Sequence, residues 1–447
     1  MKIKKHLSFS ALIKMISSRF RTWPELRRKK SIEHTLHDVV MSALACMYFQ
    51  EPSLLQFQTE MEKKYHQNNL HRLFDVTTIP SSNTMKEVLD NQNSQQFQPI
   101  HKDIVQRLQR SNQLQKFDLL SGLKICSIDA TQYYTSHSIN CKCCLTANQD
   151  NPDKSTRYYH SALQAAIMHP DLKQVIPVGV EAIKNTDGTK KQDCEINAAK
   201  RFIPELRQQL PKMGLIITGD DLFSHQPMIA TVLEHNFEYI FVAKQPSHKF
   251  MMNWIESQSS LNESLILDKK GRTVIYQWMN NVPLLAGDEK CRVNFFQKKT
   301  ITLDALGNQK HCRTESWITS IEVTSETVSE LVRGAKTRWK IENECFNTLK
   351  NQGYHLTHNY GHGEKHLAFN FYQLTLLAFT LQQVAELCDL AYQACRKMAG
   401  SKRSLWEKLR TLINFLLFEN MEQLLSYFLD CEAYDMTKGY VQERSPP

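Results

Sequence analysis

The chain of 447 residues has no internal repeat and no low-complexity segment, which excludes a stacked-repeat array. Its first residues do not predict a secretory leader of the ordinary kind. Met1-Lys2-Ile3-Lys4-Lys5 is basic enough, but Lys14 interrupts the apolar stretch and no small-residue cleavage site follows. Long purely apolar runs are missing too. The nearest, Leu367 to Leu387, carries Asn370, Gln373, Gln382, Gln383 and Glu386, so it predicts a buried helix rather than a membrane span. The 12 cysteines are scattered through a chain too large to need staples, which predicts mostly reduced thiols. Together these features predict a cytoplasmic protein with no membrane partner.

What is present points toward an anion. Lys and Arg number 55 against 46 Asp and Glu, a formal charge of +9, and the commonest partner of such a chain is nucleic acid. Residues 1–117 read as a helical region. Thr35 to Tyr48 carries the stripe Leu36, Val39, Val40, Ala43, Leu44 and Met47. Pro80-Ser81-Ser82-Asn83 caps a second helix through Met85, Val88 and Leu89. The cluster Arg27-Arg28-Lys29-Lys30 ahead of these helices suits contact with a DNA end, and equally a solvated charge run.

From 118 the pattern turns to strands. Leu123 to Ile128 is a short apolar strand ending in Asp129. Arg157 to Met168 and Gln174 to Ile183 are two more, joined by the turn His169-Pro170-Asp171. Cys194 to Leu210 is an amphipathic helix. Leu215-Ile216-Ile217-Thr218-Gly219 is a continuous apolar run, the mark of a central parallel strand, and ends in Asp220-Asp221. A helix with Met228, Ile229, Val232 and Leu233 precedes the strand Tyr239 to Ala243, which ends at Lys244. The order β-β-β-α-β-α-β predicts an α/β fold, a mixed five-stranded sheet with flanking helices, over 118–250 and resuming at 316–385. Between them, 251–315 reads as a β-rich insertion with hairpin turns at Asp268-Lys269-Lys270-Gly271 and Asp304-Ala305-Leu306-Gly307-Asn308. Residues 386–447 read as a helical C-terminal region.

Arg338 to Lys350 has no Gly or Pro, follows a break at Gly334 and stops at Asn351-Gln352-Gly353, so it predicts a helix. Ile341, Cys345, Phe346 and Leu349 share one apolar sector, and Arg338 and Glu342 fall inside it. A carboxylate turned toward a core requires a cation or a partner. An Arg338–Glu342 pair at i, i+4 could be a simple helix lock. Asp129 and Asp220, however, each end a strand at the edge where α/β sheets gather ligands. Two such aspartates and an inward glutamate can share two divalent ions about 3.5–4 Å apart, for phosphodiester cleavage and transfer. Oxygen-only ligands select Mg2+ or Mn2+.

The blocks Ser127-Ile128-Asp129-Ala130-Thr131, Thr218-Gly219-Asp220-Asp221-Leu222-Phe223-Ser224 and Arg338-Trp339-Lys340-Ile341-Glu342-Asn343 resemble the three acidic blocks of a bacterial insertion-sequence transposase, of the DDE class and the IS-four group. The resemblance spans about 120 to 385. It implies an RNase H-like core with a β insertion between the second Asp and the Glu. Asp129, Asp220 and Glu342 become the catalytic ligands of two Mg2+ or Mn2+ ions, and Arg338 a contact to a phosphate near the cleaved bond. The implied activity is cleavage at terminal inverted repeats and strand transfer into target DNA by a homodimer holding both ends, in a nucleoid-associated protein. A silent or domesticated DNA-binding copy, or an RNase H-like nuclease without strand transfer, are the other readings. Asp221 and Glu344 are the competitors for the second and third positions. The family block favours Asp220, and the helical count turns Glu344 outward.

The chain departs from the family signature in two places. Ala335 stands where the family has Tyr, and Leu349 where it has Lys, with Lys350 one place further on. Lys350 and Lys244 remain candidate phosphate contacts, and Trp339 is either packing or a surface for a flipped base. The stretch Tyr354 to Gly363, with His355, His358 and His362, reads either as a loop near the site or as a structural turn. Cys141 and Cys144 form one C-x-x-C pair, for which His137, His160 and Cys194 are possible further ligands of a structural zinc. Simple reduced thiols are the alternative reading.

Overall fold

The computed structural model describes residues 5–148, 154–185, 192–267, 272–303, 309–358 and 360–432. The chain divides into two compact units, Ser94–Lys350 and a second formed by Met1–Asn93 with Asn351–Pro447.

Every described strand lies in the first unit. They are β1 (Asp118–Leu120), β2 (Leu123–Ser136), β3 (Leu145–Ala147), β4 (Arg157–Met168), β5 (Ile176–Ile183), β6 (Leu215–Gly219), β7 (Glu238–Val242), β8 (Asn262–Leu267), β9 (Thr273–Leu285), β10 (Asp288–Leu303) and β11 (Gln309–Thr319). All belong to one sheet. Its central succession is β5-β4-β2-β6-β7. β2, β4 and β5 are antiparallel neighbours, whereas β6 runs parallel to both β2 and β7. β6 is buried at all five positions, as a strand covered on both faces must be. The helix Glu195–Gln209 links β5 to β6 and buries Ala198, Ala199, Phe202, Ile203 and Leu206. Gln226–Glu234 links β6 to β7. Gln98–Arg110, ahead of the first strand, packs on β5 and so joins this unit rather than the preceding helices.

Two expectations are corrected. The sheet is eleven-stranded, not five-stranded. β11 pairs through Trp317–Thr319 with β7 and along most of its length with β10, so the hairpins β8–β9–β10 extend the same sheet. The hairpin turns 268–271 and 304–308 lie outside the described residues. Gly334 does not break the chain; it lies inside the helix Val328–Lys336. A Cβ there would come within 2.6 Å of Leu119 Cδ2 and 3.1 Å of Ile125 Cδ1. The glycine lets this helix lie close on β1 and β2. Residues from 351 onward fall in the helical unit with Met1–Asn93.

The second unit is helical. Leu36–Tyr48 is buried along its whole length, and Leu367–Cys388 along most of its own, the two packing together. Thr35 caps the first through Asp38 N–H, and Ser81 caps Ser82–Asn91 through Thr84 N–H. Among the described residues no single helix is long and apolar enough to cross a membrane. Tyr354, Leu356 and Tyr360 of the histidine-rich stretch are buried here. Asp90 accepts the backbone N–H groups of residues 364 to 367, which fixes the start of Leu367–Cys388. Asn359 lies outside the described residues. In the basic cluster, Arg27 is held by Glu25 at 2.7 Å, while Arg28, Lys29 and Lys30 are exposed.

Candidate functional site

Strand register carries Asp129 and Asp220 toward one face of the sheet. β2 and β6 are laddered from Lys124↔Leu215 to Ser127↔Thr218, and the last pair is joined by a buried 2.6 Å hydroxyl–hydroxyl bond. Asp129 and Asp220 follow two residues later. On parallel strands about 4.8 Å apart, that puts them on the same face as the bonded pair. Asp129 is not at a strand end as the sequence suggests. β2 continues to Ser136, held by β4, and Asp129 lies where the parallel ladder stops and the antiparallel one goes on. Asp220 closes β6 and caps a short 3-10 turn, its Oδ1 accepting Leu222 N–H at 2.9 Å.

Gly219 prepares that turn. A Cβ at this position would lie 2.6 Å from Phe223 Cδ2, 3.1 Å from Cγ and 3.3 Å from Cβ, and the Phe223 ring is fully buried. Gly219→Ala is therefore expected to lower stability by about 1–3 kcal/mol through overpacking, read by denaturant unfolding, and to shift the Asp220 turn.

The third carboxylate arrives on a distorted helix. The expected regular helix over 338–350 is a turn at 337–338, a π-helical segment Ile341–Phe346 and the α-helix Asn347–Asn351. Both sides of the segment are anchored. Lys340 Nζ donates to the carbonyls of His169, Pro170 and Leu172 at 2.7, 2.7 and 2.6 Å, capping the β4–β5 turn. Buried Cys345 Sγ accepts from Gln164 Nε2 at 2.8 Å, and Gln164 is the cross-strand partner of Asp129. Lys340→Met is expected to lower stability by roughly 1.5–3 kcal/mol, the range for hydrogen bonds from a charged donor, in the same unfolding measurement.

Between these anchors Arg338, only 11% exposed, bridges two carboxylates. Its Nη1 is 2.9 Å from Glu342 Oε1 and 3.6 Å from Asp129 Oδ2. The expected Arg338–Glu342 pair is present, with Asp129 on its other side. Trp339, half exposed, has its ring 4.9 Å from the guanidinium carbon. Burial pushes Asp129 up to about 7 despite the Arg338 charge, and the charges of Glu342 and Glu195 add to the rise.

Glu195 is the residue the sequence reading passed over. It opens the helix Glu195–Gln209, and burial together with the Asp220 charge raises its carboxyl above the usual range. The available signal was an acidic residue opening the helix that leads into β6, the strand that ends at Asp220. The competing Asp221 is occupied. Its Oδ1 accepts Lys244 N–H at 2.7 Å and its Oδ2 accepts the Ser247 hydroxyl, fixing the chain after β7. Lys244 is exposed. Lys350 is half-buried, which lowers its ammonium from the usual range. Of the residues considered with the cysteine pair, His160 joins Cys141 and Cys144, whereas His137 Nδ1 faces Ser155 and Thr156, and Cys194 is exposed at the start of Glu195–Gln209.

No family model and no curated protein matches the chain. Among solved structures, a piggyBac transposase in a synaptic complex with hairpin DNA aligns over 97% of this chain and 81% of that one, at 11% identity and a TM-score of 0.40. A likeness of that size does not by itself fix a fold or a function.

Proposed function

We propose that the chain is a DDE-class transposase with an RNase H-like core, of the bacterial insertion-sequence type. It would use Asp129, Asp220 and Glu342 to cleave DNA at transposon ends and join it to target DNA. The observation that carries the reading is the convergence of strand register and the Arg338 bridge. The parallel β2–β6 ladder ends at Ser127↔Thr218, two residues before Asp129 and Asp220, and Glu342 faces Asp129 across one guanidinium. The order β5-β4-β2-β6-β7 with its two parallel pairs and the three acidic blocks support the same conclusion.

The donor set suits a hard divalent ion. It consists of carboxylate oxygens, and burial holds Asp129 up at about 7, the condition a nearby cation relieves. Asp129, Asp220 and Glu342 would hold Mg2+ or Mn2+, two ions by analogy with enzymes of this class. When bound, the metal supplies activation of the attacking oxygen and stabilisation of the leaving one. The chain's own groups do the rest. Arg338 lies within reach of any phosphate brought to the carboxylates, and the ring of Trp339 offers a half-exposed stacking face. Lys244 and Lys350 are proposed phosphate contacts further along, and DNA as a homodimer's shared substrate is part of the same proposal. Residues 1–117 are proposed to bind DNA ends, 118–250 and 316–385 to carry the catalytic residues around the 251–315 insertion, and 386–447 to complete the helical part.

The Arg338 bridge itself favours a second reading, a silent DNA-binding copy in which the ion pair is purely structural. Full-length protein incubated with DNA from the flanks of its own gene separates the two. Nicked ends and joined products in Mg2+ or Mn2+, absent in EDTA, are expected. Binding without cleavage in either metal would establish the silent reading, and cleavage without joining would leave only a nuclease.

A further inference from the structure

We propose that Cys141, Cys144 and His160 form a zinc site that clamps the far end of the β2–β4 ribbon, independent of the carboxylate site. Within Ser94–Lys350 these three donors converge on one point. Cys141 Sγ is 3.8 Å from Cys144 Sγ and 3.7 Å from His160 Nε2, and Cys144 Sγ is 3.5 Å from His160 Nε2. Tetrahedral zinc with bonds of about 2.3 Å to sulfur and about 2.0–2.1 Å to nitrogen sets its sulfur–sulfur edge near ~3.8 Å and its sulfur–nitrogen edges near ~3.6 Å. All three observed separations match those edges. Two thiols and an imidazole are also the softness zinc prefers, in contrast to the all-oxygen set around Asp129.

The surroundings are built for the purpose. Cys144 N–H donates to Cys141 O at 3.1 Å and Cys141 N–H points at Cys144 Sγ at 3.4 Å, so the C-x-x-C turn closes on its own sulfur. Outer contacts of this kind orient metal ligands. His160 comes from β4 opposite Tyr134 of β2, and the Tyr133 ring lies parallel to it at 5.8 Å between centroids. Cys143 is not among the donors that converge; its thiol hydrogen-bonds with Cys141 from outside the group, and its carbonyl accepts Asn185 N–H at the exit of β5. β2 and β4 slip register between Gln132 and Tyr134, so the clamp sits where the ladder is weakest. Binding is balanced as two thiols and one Zn2+ giving two zinc–thiolate bonds and two released protons.

The test uses the intact chain. Reduced protein purified without chelator is expected to hold about one zinc per chain beyond any EDTA-labile Mg2+ or Mn2+. Replacing it with Co2+ should give a thiolate charge-transfer band in the near ultraviolet and the strong visible bands of four-coordination. Cys141→Ser and Cys144→Ser should lose the bands and His160→Ala should weaken metal retention at least tenfold, while Cys143→Ser and Cys194→Ser keep both. The wild-type spectrum stands even if a ligand variant fails to fold. No stoichiometric zinc together with no Co2+ charge-transfer band overturns the site. So does a Cys141–Cys144 disulfide in protein prepared without oxygen, or equal loss in Cys143→Ser. Strand cleavage is not measured in any arm, so failure here leaves the transposase reading untouched.

Discussion

Glu342→Gln and Asp220→Asn are each expected to lower Mg2+-dependent strand cleavage by about 10³-fold, because losing a charged metal ligand removes several kcal/mol of stabilisation and each 1.36 kcal/mol is a decade in rate. Both changes are nearly isosteric, so the turn at Asp220 and the contact with Arg338 survive in neutral form. Affinity for DNA should change little, since phosphate contacts come from cations. The informative control is Asp221→Asn. That carboxylate is spent on Lys244 N–H and the Ser247 hydroxyl, so the variant should lose stability and retain cleavage at low temperature. If Asp221→Asn abolishes cleavage in a folded protein while Asp220→Asn cleaves normally, the site is assigned to the wrong neighbour. If Glu342→Gln cuts at the wild-type rate, Arg338 and Glu342 are only a helix lock.

Asp129 gives the second large effect, and its direction is opposite for stability and activity. Its carboxyl moves from 3.8 to about 7 on folding. The folded protein therefore holds this proton more tightly than the unfolded chain. Unfolding releases it between about pH 4 and pH 7, so stability falls as pH rises through that window and levels off above it. A shift of that size corresponds to about 4 kcal/mol as an upper figure. In EDTA, Asp129→Asn should consequently be more stable than wild type at pH 8 by roughly 1–3 kcal/mol, after the weaker contact with Arg338 is subtracted. The difference should vanish near pH 5, below most of the titration. Mg2+ should raise the melting temperature of wild type at pH 8 and leave the variant unmoved. Urea unfolding at the two pH values decides it: equal stabilities at pH 8 would mean Asp129 is not held in its protonated form. Cleavage should be lost in the variant at every pH.

How much of this was legible depends on whether the cause is local. β4 and β6 span the predicted residues because their apolar runs are bounded by turn signals and polar caps. β2 was legible only to Asp129. Its continuation through Thr131 to Ser136 follows from pairing with β4, a partner some thirty residues away that no window of sequence contains. The single sheet was hidden for a similar reason. β11 is an ordinary strand in sequence, and only its two neighbours make it the link between the core and the hairpins. Asp129 and Asp220 were readable as candidates for one sheet face because each follows an apolar run, and those two runs pair as parallel strands. Glu195 was not, since a helix's first residue gains meaning only from what the preceding strand places beside it. Helical counting held for the buried side, where Ile341, Cys345, Phe346 and Leu349 all lie, although it could not show that Ile341–Phe346 is π-helical.

That π segment has a consequence for which sequences can carry the site. A π turn accommodates one residue more than an α-helix would, and here the ends are fixed from outside, by Lys340 on three carbonyls and Cys345 on Gln164. Glu342 is thus aimed by its neighbours' anchors rather than by the helix's own ladder. Substitution of Asn343, which is exposed, is expected to leave the segment in place, whereas replacing Lys340, or either member of the Gln164–Cys345 pair, is expected to disturb it. The segment tolerates drift in its middle and forbids it at its edges.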